Sequence, residues 1–347
     1  MLIVSGPIDG SEHHRAGHPE QPTRIDAVMG GIDDLHLGTD LRLVHGSPAG
    51  RAELTRVHAA SYLDELAAFC QGGGGDLDPD TYATAGSWST ALSAAGAGLA
   101  AIDALRGFND GVAFVAARPP GHHALRDRAM GFCLLNNIAV AAAALVEDGQ
   151  RVLIVDWDVH HGNGTQEIFW DDPRVMYVST HQWPLFPGSG AAREVGGPHA
   201  RGHTVNVPLP PGATGDVVRR AIDEVALSAI DTFAPTWVLV SAGFDAHRAD
   251  PMADLALSSG DFADLAGMVA GFAPRPGRLV LFLEGGYDLA ALRASVTSTL
   301  GALLGASPGP EKPTSGGLGT EMVAQAKVER ATALRQADLM VLPGDLL

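Results

Sequence analysis

Cysteine is nearly absent: Cys70 and Cys133 are the only two in 347 residues. Two isolated thiols cannot build a disulfide framework, and they lack the paired spacing of a cysteine–zinc site. They read as reduced thiols of a cytoplasmic protein. Basic residues are also scarce, 23 against 40 acidic ones, for a formal net charge of −17. Binding to a phosphate backbone needs a basic surface, so this balance argues against nucleic acid as a partner. An acidic surface serves solubility first, and it also attracts cations such as lysine-rich peptides or polyamines. Long apolar runs are missing. None approaches the roughly 20 residues that span a bilayer, and the short apolar start MLIV has no cationic lead, so neither a membrane span nor a signal peptide is expected. Apolar residues themselves are plentiful, at 46%, enough for a large core without disulfide or metal staples.

Short β-branched runs alternate with longer Ala/Leu-rich segments. The strands predicted are Leu2–Ser5, Val112–Ala116, Val152–Asp156, Val175–Ser179, Thr204–Val207, Trp237–Ser241 and Leu279–Leu283. Several are continuous apolar runs, as strands buried on both faces of a parallel sheet should be. The helices predicted are Thr90–Leu105, Asn136–Glu147, Asp216–Thr232, Asp261–Phe272 and Leu289–Leu304, with Asn136, Asp216 and Asp261 as N-caps. The alternation predicts an α/β fold with a mostly parallel central sheet. The glycine run Gly72–Gly75 reads as a flexible loop, Ser307–Gly319 as a surface linker and Glu321–Ala337 as a terminal helix.

Four polar segments follow predicted strands. In Asp156-Trp157-Asp158-Val159-His160, residues two apart point the same way in an extended chain, so Asp156, Asp158 and His160 share one side. A carboxylate and an imidazole converging at a strand end make half of a metal site. Asp245, just past another strand, is the candidate third ligand, with His247 a weaker alternative nearer the rim. The tandem His122-His123 follows a Pro-Pro-Gly turn, and an imidazole there can carry a proton from water to a leaving amine. Glu284-Gly285-Gly286-Tyr287 lets a tyrosine hydroxyl reach the same place as an oxyanion donor. His13-His14 is a tandem pair with no strand end to hold it, so only a rim role is left open for it. If the sheet is parallel, the four segments meet at one edge.

The motifs RPPGHH at 118–123, GFCLLNN at 131–137, DWDVHHGNGT at 156–165, SAGFD at 241–245, EGGY at 284–287 and HPExPxR at 18–24 resemble the histone deacetylase family. The variant is similar to the class II and bacterial histone-deacetylase-like amidohydrolases, which include acetylpolyamine amidohydrolases. The resemblance implies the arginase/deacetylase-like three-layer fold over residues 1–305, with residues 306–347 a linker and a helix packing on that domain. It implies zinc on Asp158, His160 and Asp245, an oxygen-rich ligand set that would also suit Fe(II) or Co(II). It also implies potassium near Asp156, Asp158, His160, Ser179 and Thr180. His123 would be the general base and acid, His122 its electrostatic assistant and Asp156 the partner of His122. Asn163 stands where class I relatives carry Asp, which should leave His123 less basic. Phe132 and Phe186 resemble the walls of an acyl-lysine tunnel, with Gly131 and Gly286 lining it, Asp80 at its rim and Arg24 on an acetate channel. Met252 occupies the position at which a polyamine-selective relative places Glu.

The implied substrate is therefore an acetylated lysine in a peptide or a small acetylated amine, and self-association is left open. A metal-bound module that holds acylated ligands without turnover is the rival of another class, and Tyr287, His122 and His123 argue against it. A ureohydrolase would share the fold but needs a second metal's worth of His and Asp ligands that the sequence does not supply.

Overall fold

The computed structural model describes residues 1–306 and 309–339. Ten strands are present among them: β1 Leu2–Ile8, β2 Leu41–Val44, β3 Gly74–Asp76, β4 Tyr82–Thr84, β5 Val112–Ala117, β6 Val152–Asp156, β7 Val175–Gln182, β8 Thr204–Leu209, β9 Trp237–Ala242 and β10 Leu279–Leu283. Eight form one sheet in the order β2-β1-β5-β10-β9-β6-β7-β8, and every pairing in it is parallel. The helices are α1 Thr23–Asp33, α2 Arg51–Leu54, α3 Ala60–Gln71, α4 Ser87–Phe108, α5 Asn137–Glu147, α6 Asn163–Ile168, α7 Gly215–Ala221, α8 Leu227–Phe233, α9 Ser259–Ala270, α10 Leu289–Leu303 and α11 Thr320–Leu339.

Strand alternation divides the apolar core between the two faces of the sheet. Leu2, Val4, Leu153, Val155 and Leu281 enter one cluster, with α1, α9 and α10 above them. Ile3, Val152, Ile154, Val280 and Phe282 enter the other, with α4 and α5. This is a three-layer α/β arrangement. Helix α11 lies along the edge strand β8, burying Val323 and Ala326, and the Arg330 guanidinium donates to the Gly202 carbonyl at 2.6 Å. An otherwise unpaired sheet edge is covered in this way.

Several sequence expectations need correction. The glycine run is not a loose loop: Gly74–Asp76 pairs antiparallel with Tyr82–Thr84. Gly74, at φ +78°, is where a Cβ would strike the Ala83 carbonyl. Of the three caps, only Asn136 stands, accepting from the Ala139 amide at 3.0 Å. Asp261 is instead the fourth member of a capping box headed by Ser258. Asp216 lies inside the first turn after Thr214, and its other oxygen accepts from the Gly316 amide. The helix expected over 216–232 is interrupted by one π turn, Ile222–Ala226.

The described part of the expected linker, 309–319, is a strap bonded to the domain. Ser258 Oγ donates to the Lys312 carbonyl at 2.7 Å, and Thr314 Oγ1 donates to Asp261 at 2.7 Å. Residues 307, 308 and 340–347 of the C-terminal segment lie outside the described residues, as does the side chain of Ala337.

Buried neutral imidazoles brace these layers. His58 Nδ1 bonds the Leu125 carbonyl at 2.9 Å while Nε2 accepts from the Asn136 amide at 2.9 Å, a pairing only the neutral ring can make. Burial holds His58, His13 and His161 down to about 4 from the usual 6.5. The unfolded chain therefore binds more protons than the folded one between those values, and stability falls as pH drops through that window. Each group contributes up to about 3 kcal/mol of this loss. The Glu284 and Asp250 carboxyls, raised to about 7 and about 6, act in the opposite sense over part of this window, so the test is a difference. Between pH 7 and pH 4 the urea midpoint of a His58→Gln variant should fall less than that of the unsubstituted protein, and parallel pH profiles would contradict the account.

Candidate active site

The four polar segments follow β5, β10, β9 and β6, which are adjacent in the sheet. Parallel strands deliver all four loops to one edge, the place where open α/β sheets bind ligands. Strand β6 ends at Asp156, so Asp158 and His160 sit in a bend rather than in extended chain. Their side chains still converge, while Trp157 and Val159 turn into the core.

Asp158, His160 and Asp245 each offer a ligand atom, and those atoms lie within 4.8 Å of one another. His160 Nδ1 is 3.2 Å from an oxygen of each carboxylate. Asp245 Oδ2 is buried and makes no hydrogen bond, although it faces that nitrogen. Two glycines make room: a Cβ at Gly243 would strike Asp158 Oδ2, and one at Gly285 would strike Asp245 Oδ2. Burial opposes charge on His160, yet the Asp158 and Asp245 carboxylates beside it outweigh that and lift the ring to about 10. Burial also raises Asp245, with the Asp158 charge adding to it. The centre is thus built around a positive charge. Two carboxylates, one imidazole and an orphaned oxygen fit a divalent cation.

The tandem histidines stand beside this centre, their rings 4.0 Å apart. His122 Nδ1 meets Asp156 Oδ2 at 3.0 Å, and the Tyr177 hydroxyl donates to the same oxygen at 3.0 Å. Burial works against charge on His122, but Asp156, Asp158 and Glu284 overcome it and raise the ring to about 10. His123 goes the other way: burial, then the charges on His122 and His160, hold it well below 6.5. His123 Nδ1 bonds Asn163 Oδ1 at 2.8 Å while Asn163 Nδ2 is turned to Met130 Sδ. Nδ1 therefore carries the hydrogen, and Nε2 is left with a free lone pair.

These groups line a cavity of about 150 Å³ together with Asp80, Gly131, Phe132, Phe186, Met252, Gly285 and Tyr287. Phe186 meets the His123 ring edge-on at 5.1 Å, and Phe132 meets Tyr287 at 5.9 Å. Gly131 has φ +56°, and a Cβ there would come within 2.5 Å of His123 Cδ2. Thr81, beside Asp80 on the β3–β4 hairpin, accepts from the Phe132 amide at 3.1 Å. Burial, with the neighbouring Asp78, raises the Asp80 carboxyl. Burial also keeps the Tyr287 hydroxyl well above the usual phenol range, so it remains a donor.

Other expected residues lie behind the cavity. Arg24 is fully buried, its guanidinium 5.0 Å from the Tyr287 ring and bonded to Glu20 and to the carbonyls of Glu284 and Gly286. Ser179 pairs in register with Asp156, with Thr180 next to it and the Ser179 hydroxyl 2.9 Å from His181 Nδ1. His247 is not at the rim. It is buried, with Nε2 2.9 Å from Glu311 on the strap, and takes no part in the metal cluster. His13 is not loose either: it is buried against Tyr82 with Nδ1 2.6 Å from Ser87 Oγ, so it has no rim role.

Sequence reasoning missed the groups that work through backbone. Glu284 accepts from the Gly121 and His122 amides at 2.7 and 3.2 Å, and burial lifts its carboxyl to about 7. Asp250 and Tyr177 were likewise not singled out. Only the position of Glu284 before Gly-Gly offered a sequence signal.

Fold and site together define a hydrolase of the arginase/deacetylase fold. The crystal structure of the HDA15 HD domain superposes with a TM-score of 0.85 over 99% of both chains at 32% identity. The histone deacetylase domain family model matches residues 18–303. A histone deacetylase-like amidohydrolase of Pseudomonas aeruginosa is 41% identical over 79% of this chain and 73% of its own. A probable deacetylase of Methanothermobacter thermautotrophicus is 39% identical over 92% of this chain and 95% of its own. Histone deacetylase 10, chloroplastic, of Oryza sativa is 39% identical over 88% and 73%. The chain belongs to the histone deacetylase family and is a hydrolytic deacetylase. Among the described residues no helix is long and apolar enough to cross a membrane.

The ligand set can be tested directly. Asp158→Ala should abolish binding of a divalent metal, read by elemental analysis on folded protein after loading; occupancy equal to that of the unsubstituted protein would refute the assignment.

Proposed function

We propose that the chain hydrolyses N-acetyl amides, the acetyl-lysine of a peptide or a small acetylated amine, releasing acetate. The observation that carries this reading is the placement of His123 on the cavity with Nδ1 held by Asn163 Oδ1 at 2.8 Å. The Nε2 lone pair is free beside the Asp158–His160–Asp245 centre, and Tyr287 stands on the same narrow cavity.

Asp158, His160 and Asp245 would hold a divalent metal, zinc or Fe(II), which would supply Lewis acidity to the acyl carbonyl and to water. The side chains account for the rest. Phe132 and Phe186 flank the acyl chain and keep water out, and Asp80 at the mouth accepts from the substrate's N–H. His123 Nε2 takes the proton of the attacking water and returns it to the departing amine nitrogen. Tyr287, held protonated, donates to the oxyanion as the carbonyl becomes tetrahedral. His122, already protonated against Asp156, cannot be the base at neutral pH and acts as a fixed positive charge. Arg24, beneath Tyr287, fits a role in guiding acetate away.

The Asp156–Ser179 register pair fits a potassium site completed by Asp158, His160 and Thr180. Residues 1–305 form the catalytic domain in this reading and 306–347 an appendage, of which the described residues 309–339 are seated on that domain. Two buried free thiols suit a cytoplasmic setting.

Tyr287→Phe should lower kcat for acetate release from an acetyl-lysine peptide by about 10²-fold with KM little changed. Turnover near that of the unsubstituted enzyme would remove the tyrosine from the reaction.

A further inference from the structure

The stretch after Asp245 turns outward and returns at Leu257, where it bridges His247. Asp250 faces inward from this stretch and is 6% exposed. Its carboxylate is spent on backbone amides of two different loops. Oδ2 accepts from the Tyr287 amide at 2.6 Å and the Asp288 amide at 3.1 Å, and Oδ1 accepts from the Met252 amide at 3.0 Å. Asp288 in turn caps α10 through the Ala291 amide at 2.8 Å.

The segment 284–288 has no regular structure, and Gly285-Gly286 leaves its backbone free to swing, Gly286 at φ +118°. Gly285 is tied by its own amide to Asp158, and the Gly286 carbonyl by Arg24. Among the described residues, Asp250 is the group that bonds the Tyr287 amide itself. We propose that Asp250 is the positioning residue for Tyr287. It couples the loop that carries Asp245 to the loop that carries the oxyanion donor, and it sets Met252 and Tyr287 on the same cavity through one carboxylate. The proposal rests on the reading of Tyr287 given above. Charge-assisted bonds are short and directional, and an error of about 1 Å in placing a reacting group costs on the order of 10²-fold in rate.

Asp250→Asn removes one acceptor and sets an N–H against an amide N–H. It should lower kcat by about 10-fold or more, leave KM within about twofold and leave one metal per chain. In the Tyr287→Phe background the same substitution should change kcat by less than about twofold, because the hydroxyl it positions is already gone. Equal losses in both backgrounds would overturn the proposal. Should Asp250→Asn fail to fold, amide hydrogen exchange on the unsubstituted protein decides. The Tyr287 and Asp288 amides should exchange far more slowly than free chain, and exchange at free-chain rates would overturn the proposal. That readout stands even if no N-acetyl amide is hydrolysed, a result that would sink the functional reading alone.

Discussion

Two buried carboxylates, Asp158 and Asp245, face one imidazole nitrogen, and most of the site follows from that crowding. Like charges this close, away from water, demand a cation between them. The two neighbouring histidines are driven apart by what each faces: Asp156, Asp158 and Glu284 charge His122, while burial and the charges on His122 and His160 keep His123 uncharged. His122, backed by Asp156 and Glu284, is held protonated, while His123, backed by the neutral Asn163 amide, is held neutral. One ring becomes a fixed charge and the other a base. A carboxylate at 163 would blur that division.

The sheet makes the crowding possible. Four adjacent parallel strands end together, so four segments far apart in sequence, around His122, Asp158, Asp245 and Tyr287, meet at one edge. The cost is a set of loops with unpaired amides at the sheet edge. Buried acids meet that need: Glu284 holds the tandem-histidine turn, Asp250 holds Tyr287 and Asp158 holds Gly285. The carboxylates that make the site electrostatically demanding are thus also its scaffold.

Much of this was legible in the sequence. The seven apolar runs predicted as strands are strands because burial on both faces leaves a signal no surface element mimics. Strand β2 was missed because its four residues are half-exposed at the sheet edge, and α1 because its glycines interrupt the apolar stripe. His122, His123, Asp158, His160 and Tyr287 were named because they carry chemistry at strand ends, whereas Asp80, Gly131, Phe132, Phe186 and Met252 came only from the family resemblance, and Gly285 lines the cavity where Gly286 was expected. His13 and His247 were misjudged because their partners, Ser87 and Glu311, are 74 and 64 residues away. Asp250, Glu284 and Tyr177 were not foreseen because backbone amides and a shared carboxylate oxygen leave no mark on residue type. The C-terminal strap looked like a linker for a related reason. Its Pro and Gly content hides a run of bonds to Ser258, Asp261 and Thr214.

The most direct test of this account is a titration of metal into chelator-stripped protein, scored by acetate release from an acetyl-lysine peptide. Activity should rise in proportion to added zinc and stop at one ion per chain. Activity that is independent of metal, or that appears only with a second ion, would contradict a single centre on Asp158, His160 and Asp245.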